Sequence, residues 1–451
     1  MTSHRPFAAV ILAAGKGTRM KSDVHKVLHP IAGRPMIDHL LESVEALGAE
    51  RIVVVVGDRR EQLEAALAGR AEFAVQEPQL GTGHAVLQAK PALAGFEGDV
   101  LLLSGDVPFI RPSTMRAMLD ALHGGADPAA VVLGFRPPDA AAYGRVVAGP
   151  DGRVARIVEL RDANDEERAI TLCNSNLFAV RSGDLWTLLE GVRNDNSQGE
   201  YYLTDIVAIG TAAGRTTLLI EGEAAESIGP NSRSEFALAE SAWQARRRSE
   251  AMAEGATLIA PETVWFAFDT KLGRDVTIEP NVFFGPGVSI ADGVRIRAFS
   301  HIEGATIAAG AEIGPYARLR PGTVIGEKAK IGNFVETKKA ILGPGAKANH
   351  LTYLGDAEVG AGANVGAGTI TCNYDGYFKY GTVIGEGAFI GSNSALVAPV
   401  SIGAGAIVGA GSVVTRDVEA DALALARGAQ EVKPGWAARF RAAMSAKKRA
   451  G

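Results

Sequence analysis

The feature that most limits how this 451-residue chain can fold is a six-residue repeat in its C-terminal half. A period of six does not match the 3.6-residue turn of an α-helix, whereas it matches very short strands separated by tight bends. The repeat therefore predicts a parallel β-solenoid, in which the large residue of each hexad points into a narrow core. These large residues are Ile278, Phe284, Ile290, Ile296, Ile302, Ile307, Ile313, Leu319, Ile325, Ile331, Ile384, Ile390, Leu396, Ile402, Val408 and Val414.

Smaller residues accompany the large ones in the last block of hexads. Glycine follows the large residue at Gly385, Gly391, Gly403 and Gly409, and we expect it to permit the unusual backbone angles of a corner. The hexads lapse between Ile331 and Ile384, which predicts an insertion in the solenoid. Small or β-branched residues stand two positions before the large ones, at Thr382, Ala388, Ser394, Val400, Ala406 and Ser412.

The first 230 residues show a different pattern, in which short apolar runs alternate with helical stretches. This alternation predicts an α/β domain with a Rossmann-like, mostly parallel sheet, and ligands bind such sheets at the carboxyl ends of the strands. The expected strands are Ala8–Ala14, Arg51–Val56, Val100–Leu103 and Ala129–Gly134, and the expected helices include Pro35–Leu47 and Arg60–Leu67.

A segment rich in Ala, Glu and Arg separates the two halves, and its composition favours helix. Ser232 could cap this helix, with Glu235 at the capping-box position. We therefore predict a nucleotide-binding domain over 1–230, a helical linker over 231–255 and a hexapeptide-repeat domain with a C-terminal tail over 256–451.

Composition excludes several broad classes of protein. The formal net charge of −5 gives no general attraction to nucleic acid or to an anionic membrane. No stretch approaches the roughly 18 apolar residues of a spanning helix. The apolar run near the N-terminus is short and is followed by Lys16 and Arg19, which argues against a signal peptide. Cys173 and Cys372 have no disulfide or metal-site spacing, so a reducing cytoplasm fits best.

The segment LAAGKGTRM, residues 12–20, directly follows the first expected strand. Gly15 and Gly17 would let backbone N–H groups approach phosphate oxygens, while Arg19 and Lys26 would add positive charge. The segment is neither a dinucleotide-binding motif, because Met20 replaces the third glycine, nor a Walker loop. Taken alone it predicts either a phosphate-binding loop or a simple turn.

Two further segments favour the phosphate-binding alternative. In SGDVP, residues 104–108, Asp106 would lie at the carboxyl end of a strand, where a carboxylate is a natural ligand for Mg²⁺. The alternative is that Asp106 is a turn residue near a proline. In QEPQLGTGHA, residues 76–85, amide and backbone donors could bind the edge of a nucleobase.

Together with NHLTYLGD and GAGTITCNYDG in the second half, these segments resemble a known family. It is the family of bacterial bifunctional N-acetylglucosamine-1-phosphate uridyltransferases and glucosamine-1-phosphate acetyltransferases. The resemblance implies a left-handed β-helix, a homotrimer and a Mg²⁺ cofactor. It also implies two reactions: acetyl-CoA acetylates glucosamine 1-phosphate, and UTP then donates UMP to give UDP-N-acetylglucosamine for peptidoglycan and lipopolysaccharide synthesis.

The resemblance also implies a first site, which would bind UTP and the sugar nucleotide. Arg19 and Lys26 would face the phosphates as catalytic residues, and Asp106 and Asn231 would hold Mg²⁺. Asn176 stands where the family commonly has glycine, close to the sugar-binding asparagine. The nucleotide and sugar ligands would be Leu12, Ala13, Ala14, Gly15, Lys26, Gln76, Gly81, Thr82, Ser104, Gly105, Gly144, Glu159, Asn174 and Asn231.

The second site needs a base that takes a proton from the attacking amine, a role that suits a neutral imidazole. The resemblance assigns this role to His350, whereas the residues alone favour a structural hydrogen bond at a corner. Glucosamine 1-phosphate would bind Arg320, Lys338, Tyr353 and Asn364. Acetyl-CoA would bind Ala367, Asn373, Tyr374, Ser392, Ala410 and Arg427, with the Asn373–Tyr374 pair also positioning the sugar and its amine.

Direct transfer requires no covalent intermediate, so we do not assign Cys372 as a nucleophile. The basic C-terminal residues, from Arg439 to Arg449, could attract CoA phosphates, although a solvated, poorly ordered end is the simpler interpretation. Two other functions stay open: a nucleotidyltransferase for another sugar or base with a purely structural solenoid, and a non-catalytic scaffold. The intact set of Asp106, Asn231, His350 and Asn364 argues against the scaffold.

Overall fold

The computed structural model describes residues 5–125, 127–140, 143–227 and 229–450, so the first four residues of the N-terminal stretch lie outside the described part. The chain divides into two units, 1–246 and 247–451, and each is described by itself.

Eleven strands and seven helices, together with short 3₁₀ segments, make up the described part of the first unit before its last helix. Strands β1 to β11 are, in chain order, Phe7–Ala13, Pro30–Ile31, Arg34–Pro35, Arg51–Val56, Glu72–Val75, Asp99–Ser104, Ala130–Phe135, Arg145–Ala148, Val154–Val158, Cys173–Arg181 and Thr217–Glu221. Helices α1 to α7 are Met36–Leu47, Arg60–Ala66, Thr82–Gln88, Pro112–Ala121, Asp165–Arg168, Ser182–Glu190 and Asp205–Ala212. The 3₁₀ segments are Thr18–Met20, Lys26–Leu28, Pro91–Leu93 and Ala224–Glu226.

The main sheet has the strand order β11-β7-β10-β6-β1-β4-β5, with β8 and β9 attached to β10. Four of the six neighbouring pairs along this order are parallel (β11–β7, β6–β1, β1–β4 and β4–β5), and β10 runs antiparallel to β6 and β7, so this order is mostly parallel, as predicted. The four expected strands are present within two residues of their predicted ends. Both faces of the central strands are buried, which explains their continuous apolar sequences.

The register of β1 and β6 positions the first site. Leu12 pairs with Ser104, so the two strands end side by side. The glycine-rich segment after β1 and the SGD segment after β6 therefore emerge together at one edge of the sheet, as expected for a parallel arrangement.

Helix α8, Arg233–Ala253, lies in the segment whose composition predicts helix, and the boundary between the two units falls within it. The Ser232 hydroxyl accepts a hydrogen bond from the Glu235 backbone N–H at 3.3 Å and donates one to the Glu235 carboxylate at 2.9 Å. The same carboxylate accepts the Asn231 N–H at 2.8 Å. Ser232 and Glu235 thus satisfy donors at the helix start, in the manner of a capping box.

The second unit is a stack of short parallel strands followed by an exposed helix, α9, Trp436–Ala450. Strands β12 to β35 are Thr257–Leu258, Lys271–Leu272, Thr277–Ile278, Phe283–Phe284, Ser289–Ile290, Arg295–Ile296, His301–Ile302, Ala305–Ile307, Glu312–Ile313, Arg318–Leu319, Thr323–Ile325, Lys330–Asn333, Glu336–Leu342, Lys347–His350, Tyr353–Val359, Asn364–Val365, Ile370–Cys372, Thr382–Ile384, Phe389–Ile390, Ala395–Val397, Val400–Ile402, Ile407–Val408, Val413–Val414 and Leu423–Ala424. One further 3₁₀ segment is Pro261–Thr263.

These strands form parallel ladders along the faces of a left-handed β-helix. Every large hexad residue named above is at most 4% exposed, so the predicted inward orientation is confirmed. The small residues two positions earlier, such as Thr382 and Ser412, are also buried at 1% and 0% exposure. The narrow core therefore alternates large and small side chains.

The expected role of the glycine after each large residue was wrong. Gly385 and Gly391 do not have the left-handed backbone; Gly387 and Asn393, two residues further on, do, with φ of 65° and 56°. A Cβ at Gly385 would instead lie 2.4 Å from the backbone nitrogen of Ala404 on the next coil. Glycine is required there because neighbouring coils approach closely, and not because of the corner angles.

The expected insertion between Ile331 and Ile384 was also largely wrong. The ladders continue through this region, where the inward positions are filled by Thr337, Ala348 and Thr371, which are 0%, 0% and 1% exposed. Because these inward residues are small or polar, a search for large apolar residues every six positions does not detect the repeat here. The interruption is a short loop between β28 and β29, and His350 ends a regular ladder strand, β25.

Among the described helices, none combines the length and the apolar character needed to cross a membrane.

Candidate active sites

The glycine-rich segment after β1 leaves part of its backbone uncovered. Gly17 has a φ of 58°, and a Cβ there would lie 2.7 Å from Cβ of Lys26, so a side chain would disturb the lysine. A Cβ at Gly15 would meet no heavy atom within 4 Å, which leaves that backbone accessible to a ligand. Gln79 Nε2 donates to the Ala14 carbonyl at 2.6 Å and holds the loop in place.

A cavity of about 560 Å³ lies at this edge of the sheet, a size typical of small-molecule sites. It brings together twelve of the residues predicted for the first site, whereas Gly105, Gly144, Glu159 and Asn174 are not in its wall as described. The twelve are Leu12, Ala13, Ala14, Gly15, Arg19, Lys26, Gln76, Gly81, Thr82, Ser104, Asp106 and Asn231. The wall also contains residues that were not predicted as ligands, including Lys16, His25, Gln79, Glu200 and Asn176, the last of which was noted only as a departure from the family pattern.

Lys26 connects the two predicted metal ligands. Its ammonium lies 2.5 Å from Asp106 Oδ2 and 2.7 Å from Asn231 Oδ1, while Ser104 donates to Asp106 Oδ1 at 2.6 Å. Burial alone would raise the pKa of the Asp106 carboxyl, but the Lys26 ammonium and the Ser104 hydrogen bond outweigh it and keep the pKa below its usual value. The two oxygens thus already converge on one positive charge.

The predicted base-binding residues lie on the far side of the loop, around the start of α3. Gln76 Nε2 donates to the Gly81 carbonyl at 2.9 Å, and the Thr82 hydroxyl accepts the Leu203 N–H at 2.9 Å. Gly81 has a φ of 111°, and a Cβ there would lie 2.6 Å from the Tyr201 carbonyl. These contacts fix the segment against residues 200–203, so its backbone is held rigidly at the cavity.

The predicted sugar ligands form a cluster next to the cavity wall. The Asn174 N–H donates to the Gly144 carbonyl at 2.9 Å, and a Cβ at Gly144 would lie 3.4 Å from the Glu159 carboxylate. Burial raises the pKa of Glu159, and the neighbouring carboxylates of Asp162, Asp205 and Glu200 raise it further. Asn174 is only 2% exposed, and its side chain bonds to Asn176.

In the second unit, five predicted residues form one column along a corner of the β-helix. The column comprises His350, Ala367, Ser392, Ala410 and Arg427, on successive coils. Backbone hydrogen bonds link Gly368 N–H to His350 O, Asn393 N–H to Ala367 O and Gly411 N–H to Ser392 O, at 3.3, 2.7 and 2.8 Å. Arg427 Nη1 completes the column by donating to the Ala410 carbonyl at 2.6 Å.

The same corner changes character at the level of His350. On the earlier coils it carries Phe299, Tyr316, Phe334 and Leu351, all with positive φ and between 46% and 63% exposed. The three rings stack at centroid distances of 4.9 and 5.1 Å. On the later coils the equivalent positions hold Gly368, Asn393 and Gly411. We call this part of the corner, which carries no side chain larger than asparagine, the groove.

Asn333 orients the His350 ring. The two residues are paired in neighbouring strands β23 and β25, and His350 Nδ1 lies 2.7 Å from Asn333 Oδ1. Because the amide oxygen accepts, Nδ1 carries the proton and Nε2 keeps its lone pair. The sequence analysis missed Asn333, although it stands one coil before His350 in the repeat.

Three cations converge near the predicted sugar-phosphate site. The Lys379 ammonium lowers the pKa of Lys338, and Arg320 contributes in the same direction. Arg320 Nη1 also donates to Glu336 Oε1 at 2.9 Å. Lys379 lies in the loop between β28 and β29 and was not predicted. The mutual repulsion of these cations would be relieved by a bound anion.

Tyr353, Asn373 and Tyr374 lie around the same loop. A Cβ at Gly355 would lie 2.4 Å from the Tyr353 hydroxyl and 2.7 Å from Asn373 Nδ2, so the glycine makes room for both groups. Asn373 Nδ2 donates to Asp356 Oδ2 at 2.5 Å, and the Lys379 ammonium lies 5.6 Å from the centre of the Tyr374 ring.

Asn364 begins β27, the strand that pairs with β25 and its His350. The predicted second-site residues therefore occupy neighbouring coils.

Comparisons with known proteins agree with this division of the chain. Residues 9–171 match the family model of the MobA-like NTP transferase domain. Residues 269–304 and 381–416 match the model of the bacterial transferase hexapeptide (six repeats).

Full-length relatives combine both parts. The bifunctional protein GlmU of Sphingopyxis alaskensis is 68% identical over 447 residues, which cover 99% of each chain. The proteins of the same name from Rhizorhabdus wittichii and Zymomonas mobilis are 68% and 56% identical, covering 99% and 98% of this chain and 99% of their own. With this identity over nearly its whole length, the chain belongs to the GlmU family of bifunctional enzymes, which join a uridyltransferase to an acetyltransferase.

Proposed function

We propose that the chain makes UDP-N-acetylglucosamine in two steps at two separate sites. Glucosamine 1-phosphate is first acetylated by acetyl-CoA in the second unit, and UMP is then transferred from UTP to the product in the first unit. The observation that carries this proposal is that each unit gathers a set of side chains suited to one of the two reactions. The cavity of the first unit holds cations and oxygen ligands, whereas the corner column of the second unit holds an oriented imidazole.

Uridyl transfer requires positioning and neutralisation of charge more than acid–base chemistry. An oxygen of the sugar phosphate attacks the α-phosphorus of UTP, and pyrophosphate leaves. The N–H groups of the glycine-rich loop, Arg19 and Lys26 bind the phosphates, while Gln76, Gly81 and Thr82 hold the base. Gly144, Glu159 and Asn174 form the sugar side of the site.

Mg²⁺ fits the residues present, because the Asp106 and Asn231 oxygens already share the Lys26 ammonium as one cation. Two protein oxygens suit Mg²⁺, which keeps phosphate and water among its ligands. When bound, the ion supplies positive charge to the phosphates. Electron paramagnetic resonance of Mn²⁺ tests this assignment: Asp106→Asn should weaken ion binding at least about tenfold. Glu72→Gln, which changes an exposed carboxylate paired with Arg51, should leave ion binding unchanged.

Acetyl transfer requires a free amine next to the thioester. His350 Nε2 accepts a proton from the amine as the nitrogen attacks the acetyl carbonyl. The C–S bond then breaks, and the CoA sulfur takes this proton from His350 and leaves as the thiol. Arg320, Lys338 and the newly found Lys379 bind the sugar phosphate, while Tyr353, Asn364 and Asn373 position the sugar. The groove beside Ala367, Ser392 and Ala410 accommodates acetyl-CoA, with Tyr374 and Arg427 at its edges.

One pair of variants tests the separation of the two sites. With glucosamine 1-phosphate, acetyl-CoA, UTP and Mg²⁺ supplied, release of free thiol reports acetylation and release of pyrophosphate reports uridyl transfer. His350→Ala should reduce acetylation by about 10²- to 10⁴-fold and spare uridyl transfer from supplied N-acetylglucosamine 1-phosphate. Asp106→Ala should do the reverse. Loss of both activities in either folded variant would refute two independent sites.

We also propose that the chain forms a homotrimer through the β-helix and acts in the cytoplasm, where UTP and acetyl-CoA are found. The exposed aromatic corner of Phe299, Tyr316 and Phe334 supports association, because contiguous exposed apolar surface marks interaction sites. Sedimentation equilibrium should give three times the 47.0 kDa chain mass. A monomer at micromolar concentration would contradict the trimer.

A further inference from the structure

Asn176 occupies an unusual place in strand β10, next to the predicted sugar ligand Asn174. The pairing of β10 with β7 shifts register between Asn174 and Phe178, so the strand bulges there. Asn176 lies in the bulge with a φ of 62°, a left-handed conformation that asparagine tolerates better than most residues. Ser175 secures the bulge by donating from its hydroxyl to the Leu133 carbonyl at 2.7 Å. Bulges next to active sites commonly redirect a side chain.

The side chain of Asn176 both binds Asn174 and faces the ligand cavity. Asn174 Nδ2 donates to Asn176 Oδ1 at 2.8 Å, and the Asn176 backbone N–H donates to Asn174 Oδ1 at 3.1 Å. Asn176 is exposed and lines the same cavity as Asp106 and Asn231. Asn174 is 2% exposed and is not among the described residues of the cavity wall. Within the bulge, Asn176 is therefore the residue that lies in the described cavity wall.

One functional group of Asn176 remains available. Its Oδ1 and its backbone N–H are bonded to Asn174, whereas Nδ2 makes no hydrogen bond within the described ranges of the chain. An NH₂ group whose amide oxygen is already fixed is a well-oriented donor for a hydroxyl, carbonyl or phosphate oxygen.

We infer that Asn176 is a further sugar-binding residue of the uridyltransferase site, held in place by its hydrogen bonds to Asn174. This inference rests on the proposed function, because the substrate at this end of the cavity is taken to be N-acetylglucosamine 1-phosphate. It adds a second asparagine to the sugar contact that the resemblance gives to Asn174. The NH₂ group of Asn176 donates to an oxygen of the sugar phosphate, and Asn174 holds the amide in that orientation.

Three variants test the inference by steady-state kinetics of pyrophosphate release. Asn176→Gly removes the side chain but keeps a residue that accepts the left-handed backbone. It should raise KM for N-acetylglucosamine 1-phosphate about three- to tenfold, the effect expected for one hydrogen bond, with KM for UTP changed less than about twofold. Asn176→Asp keeps an acceptor for Asn174 but replaces the donor, so it should raise the same KM at least as much. Asn174→Ala should act in the same direction.

A double-mutant cycle and a control complete the experiment. Because Asn174 is hydrogen-bonded to Asn176, the effects of Asn174→Ala and Asn176→Gly on this KM should be non-additive. Asn281→Gly makes the same change at another left-handed position, in the second unit, and should leave the uridyl-transfer constants unchanged.

Each alternative outcome is distinct. An unchanged or lower KM for the sugar phosphate in Asn176→Gly, with a raised value in Asn174→Ala, would overturn the inference and leave the proposed site intact. If neither variant altered that KM, the inference would be overturned and the sugar would have to bind elsewhere. A rise in KM for UTP equal to that for the sugar phosphate would also overturn it, because the residue would then shape the cavity as a whole.

Discussion

The hydrogen bond between Asn333 and His350 determines which imidazole nitrogen can act as a base. With Nδ1 donating to Asn333 Oδ1 at 2.7 Å, Nε2 is the nitrogen left to accept a proton. Asn333→Ala removes this constraint, so the His350 ring also adopts other tautomers and orientations, in which Nε2 cannot accept the proton. We expect kcat for acetylation to fall about tenfold, within the range seen for loss of residues that orient a functional imidazole, with little change in either KM.

Asn349→Ala, which changes the asparagine next to His350 in the same strand, provides a control with unchanged tautomer. A fall in kcat/KM through a higher KM, with kcat unchanged, would show that Asn333 serves substrate binding instead.

Glu159 should make the stability of the protein depend on pH. Its folded-state pKa is raised, by burial first and by nearby carboxylates second. The folded protein therefore holds this proton more tightly than the unfolded chain, and the ionised carboxylate is destabilising above the raised pKa. Glu159→Gln should raise the free energy of unfolding at pH 7 to 8, and this gain should shrink as the pH falls towards the ordinary glutamate value of about 4.3.

Urea unfolding at several pH values measures this effect. The same variant should bind UDP-N-acetylglucosamine more weakly if Glu159 accepts a sugar hydroxyl. A stability difference that does not depend on pH would show that ionisation of Glu159 is not its cause.

At the residue scale, sequence patterns predict the chemical role of a side chain better than they predict which side chains it contacts. Asp106 and Lys26 were predicted because their residue types and flanking motifs indicate phosphate chemistry, whereas His350 was predicted as a base only through the family resemblance. Asn333, Lys379 and the exposed position of Asn176 were not found, because each depends on which strand lies alongside. Only the register between coils, or the bulge in β10, brings these side chains to a site.

At the scale of elements, the corner column explains where acetyl-CoA can fit. Gly411 has a φ of 74°, and a Cβ there would meet no heavy atom within 4 Å. Phe299 and Tyr316 show that the same corner accommodates large side chains with positive φ on other coils. Gly411→Phe should place a ring over the groove, raising KM for acetyl-CoA at least about tenfold by steric exclusion while uridyl transfer is unchanged.

Gly387→Phe is the matched control, because Gly387 has a φ of 65° and equal space but belongs to another corner. Both variants should lose about 1 to 2 kcal/mol of stability from the left-handed backbone. Equal loss of acetylation in the two variants would indicate general destabilisation and not a blocked groove.

The elements themselves were predictable to different degrees. Strand β4 matches its predicted bounds, and β1 and β7 are displaced by one residue, because continuous apolar runs define buried parallel strands well. The antiparallel strand β10 was missed: its bulge breaks the regular pattern. In the β-helix, two coils were not recognised because Thr337 and Thr371 occupy inward positions where the repeat predicts apolar residues. Their hydroxyls are tolerated there because they form hydrogen bonds inside the core.

At the scale of the whole molecule, the division into two units implies separate unfolding. Calorimetry should resolve two transitions, since each unit has its own core. UDP-N-acetylglucosamine with Mg²⁺ should raise the midpoint temperature of only one transition, and acetyl-CoA that of only the other. At a hundredfold excess over Kd, each ligand should add about 2.7 kcal/mol to the free energy of unfolding of its unit. A single transition that both ligands raise together would mean that the units unfold cooperatively.

The regular ladder restricts how the second unit can change in length. Most pairings between successive coils join residues 17 or 18 positions apart, and every added coil must present the same three faces to its neighbours. An inserted segment that does not complete a full turn has to leave the stack, as residues 373–381 do between β28 and β29. New side chains can thus be added to such an enzyme on protruding segments, as Lys379 is, without changing the alignment of the coils that carry the imidazole.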